Sequence, residues 1–238
     1  MKVSARRLPV YLERLLGNGY VRKRLDSYSV HSYWANFERK KAFAKYFFAK
    51  YPGKKLQMTE WCEMKGGRDY GMDSALRMTR EIMDELVWGG VSSWQYWIAV
   101  SRYNFRDGLI YVNESEREIV PIKRLWAMGN FSRFIRPGFR RFEVEHDSAV
   151  LQVAACKGSD GDRLVVVVMN PGSKSEEVEL HFANARGANI FDAYETSKAN
   201  DLKVVSRGVK NNRYSFPAES VTTLVIKGVG VKRKKREN

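Results

Sequence analysis

The chain has 238 residues, 44% of them apolar and 13% aromatic, enough for one large buried core or two modest ones and too apolar for a disordered chain. No apolar stretch approaches the ~20 residues that cross a bilayer, which excludes a membrane-spanning helix, and two cysteines, Cys62 and Cys156, are too few for a disulfide framework and read as buried free thiols. The formal net charge of +15 describes a surface that attracts anionic polymers, either nucleic acid or acidic polysaccharide, or a basic surface with no such task.

Met1 to Arg7 carries charge with no apolar h-region after it, so no secretory signal is read there. Pro9 to Leu16 reads as the end of an amphipathic helix, with Leu8, Tyr11, Leu12, Leu15 and Leu16 on one face and Gly17 as its stop. A first strand ends at His31, within Ser27 to Trp34. A helix from about Asn36 to Tyr51 follows, with Phe37, Phe43, Phe47 and Phe48 on one stripe and Pro52-Gly53 as terminator. The second strand is the run Leu56-Gln57-Met58, which ends abruptly in Thr59-Glu60-Trp61-Cys62. Asp73 is a candidate cap for a helix through Trp88, in which Ala75, Leu76, Thr79, Ile82, Met83 and Leu86 recur at helical spacing. After Gly89-Gly90 a third strand holds Trp94, Gln95, Tyr96 and Trp97. A loop with Tyr103, Asn104, Asp107 and Gly108 then leads to a helix opened by Pro121 and carrying Ile122, Leu125, Trp126 and Met128. Strands alternating with helices across short links imply right-handed crossovers and a parallel sheet.

From Gly138 the period changes to that of strands. Phe139–Glu145, Ala149–Cys156, Asp162–Met169, Glu176–His181, Ala188–Tyr194, Leu202–Ser206, Arg213–Phe216 and Val221–Lys227 are short β-rich runs. Turn residues separate them at Gly158-Ser159-Asp160-Gly161, Asn170-Pro171-Gly172 and Asn211-Asn212. About eight strands at this spacing indicate an antiparallel β-sandwich. The pattern therefore reads as α/β followed by all-β, with three strand-helix units in residues 1–136, the sandwich in 137–228 and a disordered basic tail in 229–238. Three parallel strands cannot close a barrel, and a complete one takes about 250 residues. The chain reads either as a small open sheet or as the C-terminal part of a larger barrel.

A short strand that delivers Glu60 at its C-terminal tip is how such barrels present reactive groups. Tyr33, Trp34, Trp61, Tyr96 and Trp97 at neighbouring strand ends can stack on the apolar faces of pyranose rings, with Trp94 equally suited to the core. His31 fits a hydrogen-bond donor to a sugar hydroxyl or to Glu60. His146 and His181 fall in the β-rich half and read as incidental. Glu63 and Asp69 lie on the loop after Glu60 and make unconvincing proton donors, while Glu13, Glu38 and Glu81 fall on solvated helix faces. Three scattered histidines and two cysteines give no support to a metal site, and no glycine-rich phosphate loop or cofactor motif is present.

The order His31-Ser32-Tyr33, Thr59-Glu60-Trp61-Cys62 and Trp94-Gln95-Tyr96-Trp97 resembles glycoside hydrolase family 30. So do the junction Gly129-Asn130-Phe131-Ser132-Arg133-Phe134-Ile135-Arg136-Pro137-Gly138 and the run Ser220-Val221-Thr222-Thr223-Leu224. The resemblance covers most of the chain except the basic tail. It implies the last three strand-helix units of a (β/α)8 TIM barrel in residues 1–136 with a β-sandwich side domain in 137–228. It further implies a retaining β-glycosidase and a secreted protein, with Glu60 as nucleophile, His31 and Tyr33 lining the glycone subsite, and Trp97 with Trp94 behind it as the floor. The segments Ser93 to Val100 and Arg106 to Ile110 look most like the endo-β-1,6-galactanase-like branch. The family's acid/base Glu follows an Asn upstream of the His-x-Tyr strand, and no such Asn-Glu precedes His31; Asn113-Glu114 falls after the final barrel strand. The expectation is thus a truncated form, inactive or weak alone, whose partners are a polysaccharide or oligosaccharide and the missing N-terminal barrel half. The rival expectations are a non-catalytic carbohydrate-binding remnant and, as a lesser one, nucleic-acid binding through the basic patches, for which base-stacking motifs are missing.

Overall fold

The computed structural model describes residues 8–159, 163–181, 190–210 and 212–227. Two compact units divide the chain, one of Met1–Arg68 with Glu81–Ile119 and one of Asp69–Arg80 with Val120–Asn238.

In the first unit, α1 (Leu8–Gly17) is followed at once by α2 (Gly19–Arg24), because the Asn18 side chain accepts from the amides of Tyr20 and Val21 and restarts the helix. Only part of the expected α1 face is covered: Leu12 and Leu16 are buried, whereas Tyr11 and Leu15 are exposed. Strand β1 (Ser27–Val30) then leads through the Asn36 cap into α3 (Phe37–Lys50). The expected phenylalanine stripe is uneven, since Phe47 is fully buried among the rings of Tyr28, Phe43, Phe48 and Tyr51 while Phe48 is exposed. Lys40 replaces a phenylalanine on the buried face, where it pairs with Glu81 and lies 3.6 Å from Glu85. Glu81 is therefore no simple surface carboxylate.

Strand β2 (Lys55–Met58) runs parallel to β1, with Tyr28 opposite Leu56 and Val30 opposite Met58. Helix α4 (Met72–Met83), whose residues are shared between the units, passes into a π-helical turn at Asp84–Trp88. Asp73 sits inside its first turn, two residues after the cap position at Gly71. Glycine is required at Gly90, which has φ +62° and where a Cβ would stand 2.7 Å from the Phe48 ring.

The third expected strand is reduced to a single bridge of Trp94 to Met58. Parallel pairing with β2 persists locally, as Ser92 N donates to Leu56 O at 2.8 Å, Met58 N to Ser93 O at 3.0 Å and Gln95 N to Met58 O at 2.9 Å. Beyond it lies a small sheet that the sequence reading left as loop: β3 (Val100–Ser101), β4 (Ile110–Asn113) and β5 (Glu118–Pro121), in that order. Pro121 closes β5 and Ile122 caps the next helix, so Pro121 does not open it.

Besides most of α4, the second unit holds α5 (Lys123–Ser132) and then strands: β6 (Arg140–Phe142), β7 (Gln152–Lys157), β8 (Arg163–Asn170), β9 (Glu176–Glu179), β10 (Ile190–Thr196), β11 (Lys203–Lys210), β12 (Arg213–Phe216) and β13 (Ser220–Lys227). Each of the eight expected runs overlaps one strand, and β7, β8, β10, β11 and β13 extend past theirs. Six form an antiparallel sheet in the order β11-β10-β13-β8-β7-β6, and β12 pairs with β9 in a second, two-stranded one. Leu164, Val168, Phe191, Leu224 and Ile226 of the large sheet and Phe216 of the small one make a common core, with Val178 and Tyr214 packed against it. Alternation along each strand supplies one inward side chain in two. Asn130 of α5 is wholly buried on this unit's strands: its side-chain amide donates to Thr223 Oγ1 at 2.9 Å and Tyr194 O at 3.3 Å, and its Oδ1 accepts from Thr196 Oγ1 at 2.6 Å. The Asp160-Gly161 turn, the start of the Ala188 run, Asn211 and the basic tail lie outside the described residues.

Candidate active site

The site grows from the ends of β1 and β2. Thr59 N still donates to Val30 O at 3.2 Å, so the two strands stay together up to the residue before Glu60. Past that point the chain leaves the ladder: Glu60 is half-buried, and Trp61, Cys62 and Glu63 are buried. From the end of β1, Tyr33 donates its hydroxyl to Glu60 Oε1 at 3.2 Å and also lies 3.8 Å from Cys62 Sγ. Burial first, and then the neighbouring Cys62 and Glu60, push the Tyr33 phenol far above its ordinary range, so it stays a donor. His31 Nδ1 is 3.9 Å from the same carboxylate oxygen, a distance for electrostatic attraction and too long for a hydrogen bond. Trp34 is 63% exposed with its ring 5.5 Å from that of Tyr33, on a left-handed backbone of φ 60° that a bulky residue rarely adopts.

The aromatic residues divide by environment. Trp61, Trp94 and Tyr96 form a triangle with ring centroids 6.2 to 6.3 Å apart. Trp61 is buried, so packing takes most of its ring area, and Trp94 and Tyr96 are half-buried. The Tyr96 hydroxyl is already engaged, donating to Arg106 O at 2.9 Å. Trp97 is 50% exposed, its amide donates to Trp61 O at 3.0 Å, and a cis peptide joins it to Ile98. The structure therefore brings Glu60, Tyr33 and His31 into one cluster, and Trp61, Trp94 and Tyr96 into another that the Glu60–Trp61 peptide joins to it. Neither cysteine is in a disulfide, and both are buried.

The sequence marks Glu63 as a loop carboxylate and an unconvincing proton donor, and assigns Arg106 no role of its own. Arg106 Nη1 donates to both carboxylate oxygens of Glu63, at 3.0 and 3.1 Å, where the sequence suggested only a loop carboxylate. No periodicity links residues 43 positions apart, so spacing held no signal for this pair.

Residues 26–111, which hold β1, β2, Glu60 and both aromatic groups, match the model of a family described as O-Glycosyl hydrolase family 30. Two relatives from Bacillus subtilis, both the glucuronoxylanase XynC, are 26% identical to the chain. The one from strain 168 aligns over 157 residues, 64% of this chain and 34% of its own length. The other aligns over 182 residues, 74% of this chain and 40% of its own length. Among solved structures, the GH30 endoxylanase of Clostridium papyrosolvens C71 superposes with a TM-score of 0.76 at 24% identity, covering 95% of this chain and 55% of its own. The GH30 subfamily 8 xylanase Xyn30A of Clostridium acetobutylicum gives 0.73 at 21% identity with the same coverage of each chain. The chain thus spans between a third and two fifths of the curated relatives named here. These relatives are glycoside hydrolases, and the fold is theirs. The strand-end residues that resemble glycoside hydrolase family 30 lie within the stretch that this family's model matches. The named relatives act on xylan, so the galactanase-like branch gains no support from them.

Proposed function

We propose that this polypeptide carries the nucleophile side of a retaining glycosidase site for a β-linked glycan. Glu60 is the attacking carboxylate, and the observation that carries the reading is its Oε1 held by the Tyr33 hydroxyl at 3.2 Å, with His31 at 3.9 Å. One oxygen is thereby fixed and the other is left to form the bond to the anomeric carbon, while the C–O bond to the leaving sugar breaks with its electron pair on oxygen. Trp34 and Trp97 offer the exposed ring faces on which pyranose rings stack, Trp94 and Tyr96 support the floor, and Trp61 anchors it.

The architecture proposed for these parts is the last three strand-helix units of a (β/α)8 barrel in 1–136, an antiparallel β-sandwich in 137–228 and a basic tail in 229–238. Retaining hydrolysis also needs a second carboxyl about 5–5.5 Å from the first to protonate the leaving oxygen. Glu63 is occupied by Arg106 and does not serve. The chain by itself is accordingly proposed to be weak on glycans and better on aryl glycosides, whose leaving groups need no proton. Xylan is the first substrate to test, given the relatives' names, and an extracellular location is proposed from the family resemblance.

The test is hydrolysis of a nitrophenyl β-xyloside by the wild type and by Glu60→Gln. Turnover that falls at least a hundredfold in the variant supports the assignment; equal turnover by both removes Glu60 from the mechanism. The exposed Trp34 and Trp97 favour one second reading, a glycan-binding remnant without catalysis. It predicts xylo-oligosaccharide binding that survives Glu60→Gln and no turnover by either protein.

A further inference from the structure

Glu63 stands three residues beyond Glu60 on the same buried segment, and its carboxylate receives both hydrogen bonds of one Arg106 nitrogen at 3.0 and 3.1 Å. Both side chains are nearly withdrawn from water, at 10% exposure for Glu63 and 13% for Arg106. A pair so placed loses most of the hydration of two ions, and its Coulombic attraction does little more than offset that loss. What it supplies is a fixed direction and distance between the parts it joins.

The parts it joins are those of the candidate site. The Arg106 amide donates to Lys65 O at 3.0 Å, and its carbonyl accepts from the Tyr96 hydroxyl at 2.9 Å. One residue therefore holds three segments: the stretch after Glu60 through Glu63 and Lys65, the aromatic stretch through Tyr96, and its own loop. The loop is seated independently, by Gly67 N to Asn104 O at 3.1 Å and by Tyr111 OH to Phe105 O at 2.6 Å. Trp97 N to Trp61 O at 3.0 Å closes the circuit between the two site segments.

We propose that Arg106, acting through Glu63 and Tyr96, is a positioning residue that sets the separation between the Glu60 carboxylate and the sugar-stacking face of Tyr96 and Trp97. The proposal rests on the reading of those groups as a sugar site. Arg106 does not meet the sugar; its guanidinium faces Glu63.

The experiment uses the full chain labelled with 5-fluorotryptophan, read by fluorine NMR, together with urea unfolding and titration with xylohexaose. Arg106→Lys keeps the charge but replaces the planar guanidinium, fixed in direction, with a rotatable ammonium. It is expected to move the resonances of Trp61, Trp94 and Trp97, to leave those of Trp88 and Trp126 in place, and to weaken xylohexaose binding at least tenfold. The double replacement Glu63→Leu with Arg106→Met removes both ions together, so stability returns, whereas the resonances stay displaced and binding stays weak. Recovery of binding along with stability in the double variant overturns the proposal, because it assigns the pair a purely structural role. Unmoved resonances for Trp61, Trp94 and Trp97 in a folded Arg106→Lys overturn it as well. If that variant does not fold, Glu63→Gln, which keeps an acceptor and loses the charge, is read against the same outcomes. A wild type that binds no xylohexaose refutes the sugar-site reading, while displaced resonances in the variants still sustain the clamp.

Discussion

Replacing Asn130 by Ala should cost the protein about 3 kcal/mol of stability. The side chain is wholly buried and makes three hydrogen bonds, to Thr223 Oγ1 at 2.9 Å, Tyr194 O at 3.3 Å and from Thr196 Oγ1 at 2.6 Å. At about 1 kcal/mol net for each, their loss gives about 3 kcal/mol. The bonds are not equivalent. Thr223 keeps its donation to Asn130 O at 2.8 Å, which comes from the backbone and survives the substitution. Thr196, buried as well, is left with a hydroxyl proton and no acceptor in place of Oδ1, and that orphaned donor is the costliest part. Removing both ends of this bond with Asn130→Ala and Thr196→Val should therefore cost less than the sum of the single changes, by about 1 kcal/mol in a double-mutant cycle. Urea unfolding followed by far-UV circular dichroism reads the effect, as a midpoint lowered by about 1.5 M at a slope of about 2 kcal/mol/M. A midpoint within about 0.3 M of the wild type, or strict additivity in the cycle, refutes the reasoning.

Burial pushes the Cys156 thiol up to about 11, against the pull of Arg141, so its thiolate fraction at pH 8 is about a hundredfold below that of an ordinary thiol. Iodoacetamide at pH 8, followed by peptide mass mapping, should modify Cys156 at least that much more slowly in the native protein than in urea; comparable rates would count against the burial argument. Burial also holds the Glu85 carboxyl above its ordinary value of 4.5, although Ser32 and Lys40 oppose it. A raised native value means that the group's favourable contribution is present at low pH and is lost as pH rises through that value. Glu85→Gln should accordingly gain stability over the wild type at pH 7, with the gain fading below pH 4.5; urea midpoints at both pH values decide, and a gain undiminished at low pH would contradict the sign. Phe47→Ala, which empties the centre of the ring cluster on α3, should cost about 3–5 kcal/mol in the same assay. A loss below about 1 kcal/mol would mean that the cluster collapses into the space.

The β-rich half was the most legible part of the chain, because a period of two bounded by glycine, proline and asparagine turns is a local signal. The two central strands β8 and β13 are buried on both faces and lack that alternation, yet their β-branched content and bounding turns are local signals too. The first half was less so. Val91 to Trp97 reads as a strand, yet only Trp94 bridges to Met58, because the rings of Trp94 and Tyr96 turn to pack on Trp61. The pairing of β4 with β5 escaped notice since Asn113 to Glu118 is dominated by charge, and Arg117 takes a left-handed turn at φ 52° without glycine. Lys40 on the buried face of α3 defeated the stripe read from phenylalanines alone. At the site, Glu60, His31 and Tyr33 were found through family resemblance and stand close together. The Glu63–Arg106 pair joins residues far apart in sequence, and only folding brings them into register.

Among the described residues the six-stranded sheet ends in β6 on one side and β11 on the other, and both edge strands are cationic. Arg140 and Arg141 occupy β6 on one flank, and Lys203 and Arg207 occupy β11 on the other. A second copy adding itself strand to strand would bring guanidinium and ammonium groups against their own kind, which charged outer strands are suited to prevent. Part of the basic excess thus discourages self-association and need not serve any polyanion, and its protection should weaken as salt shortens the reach of those charges.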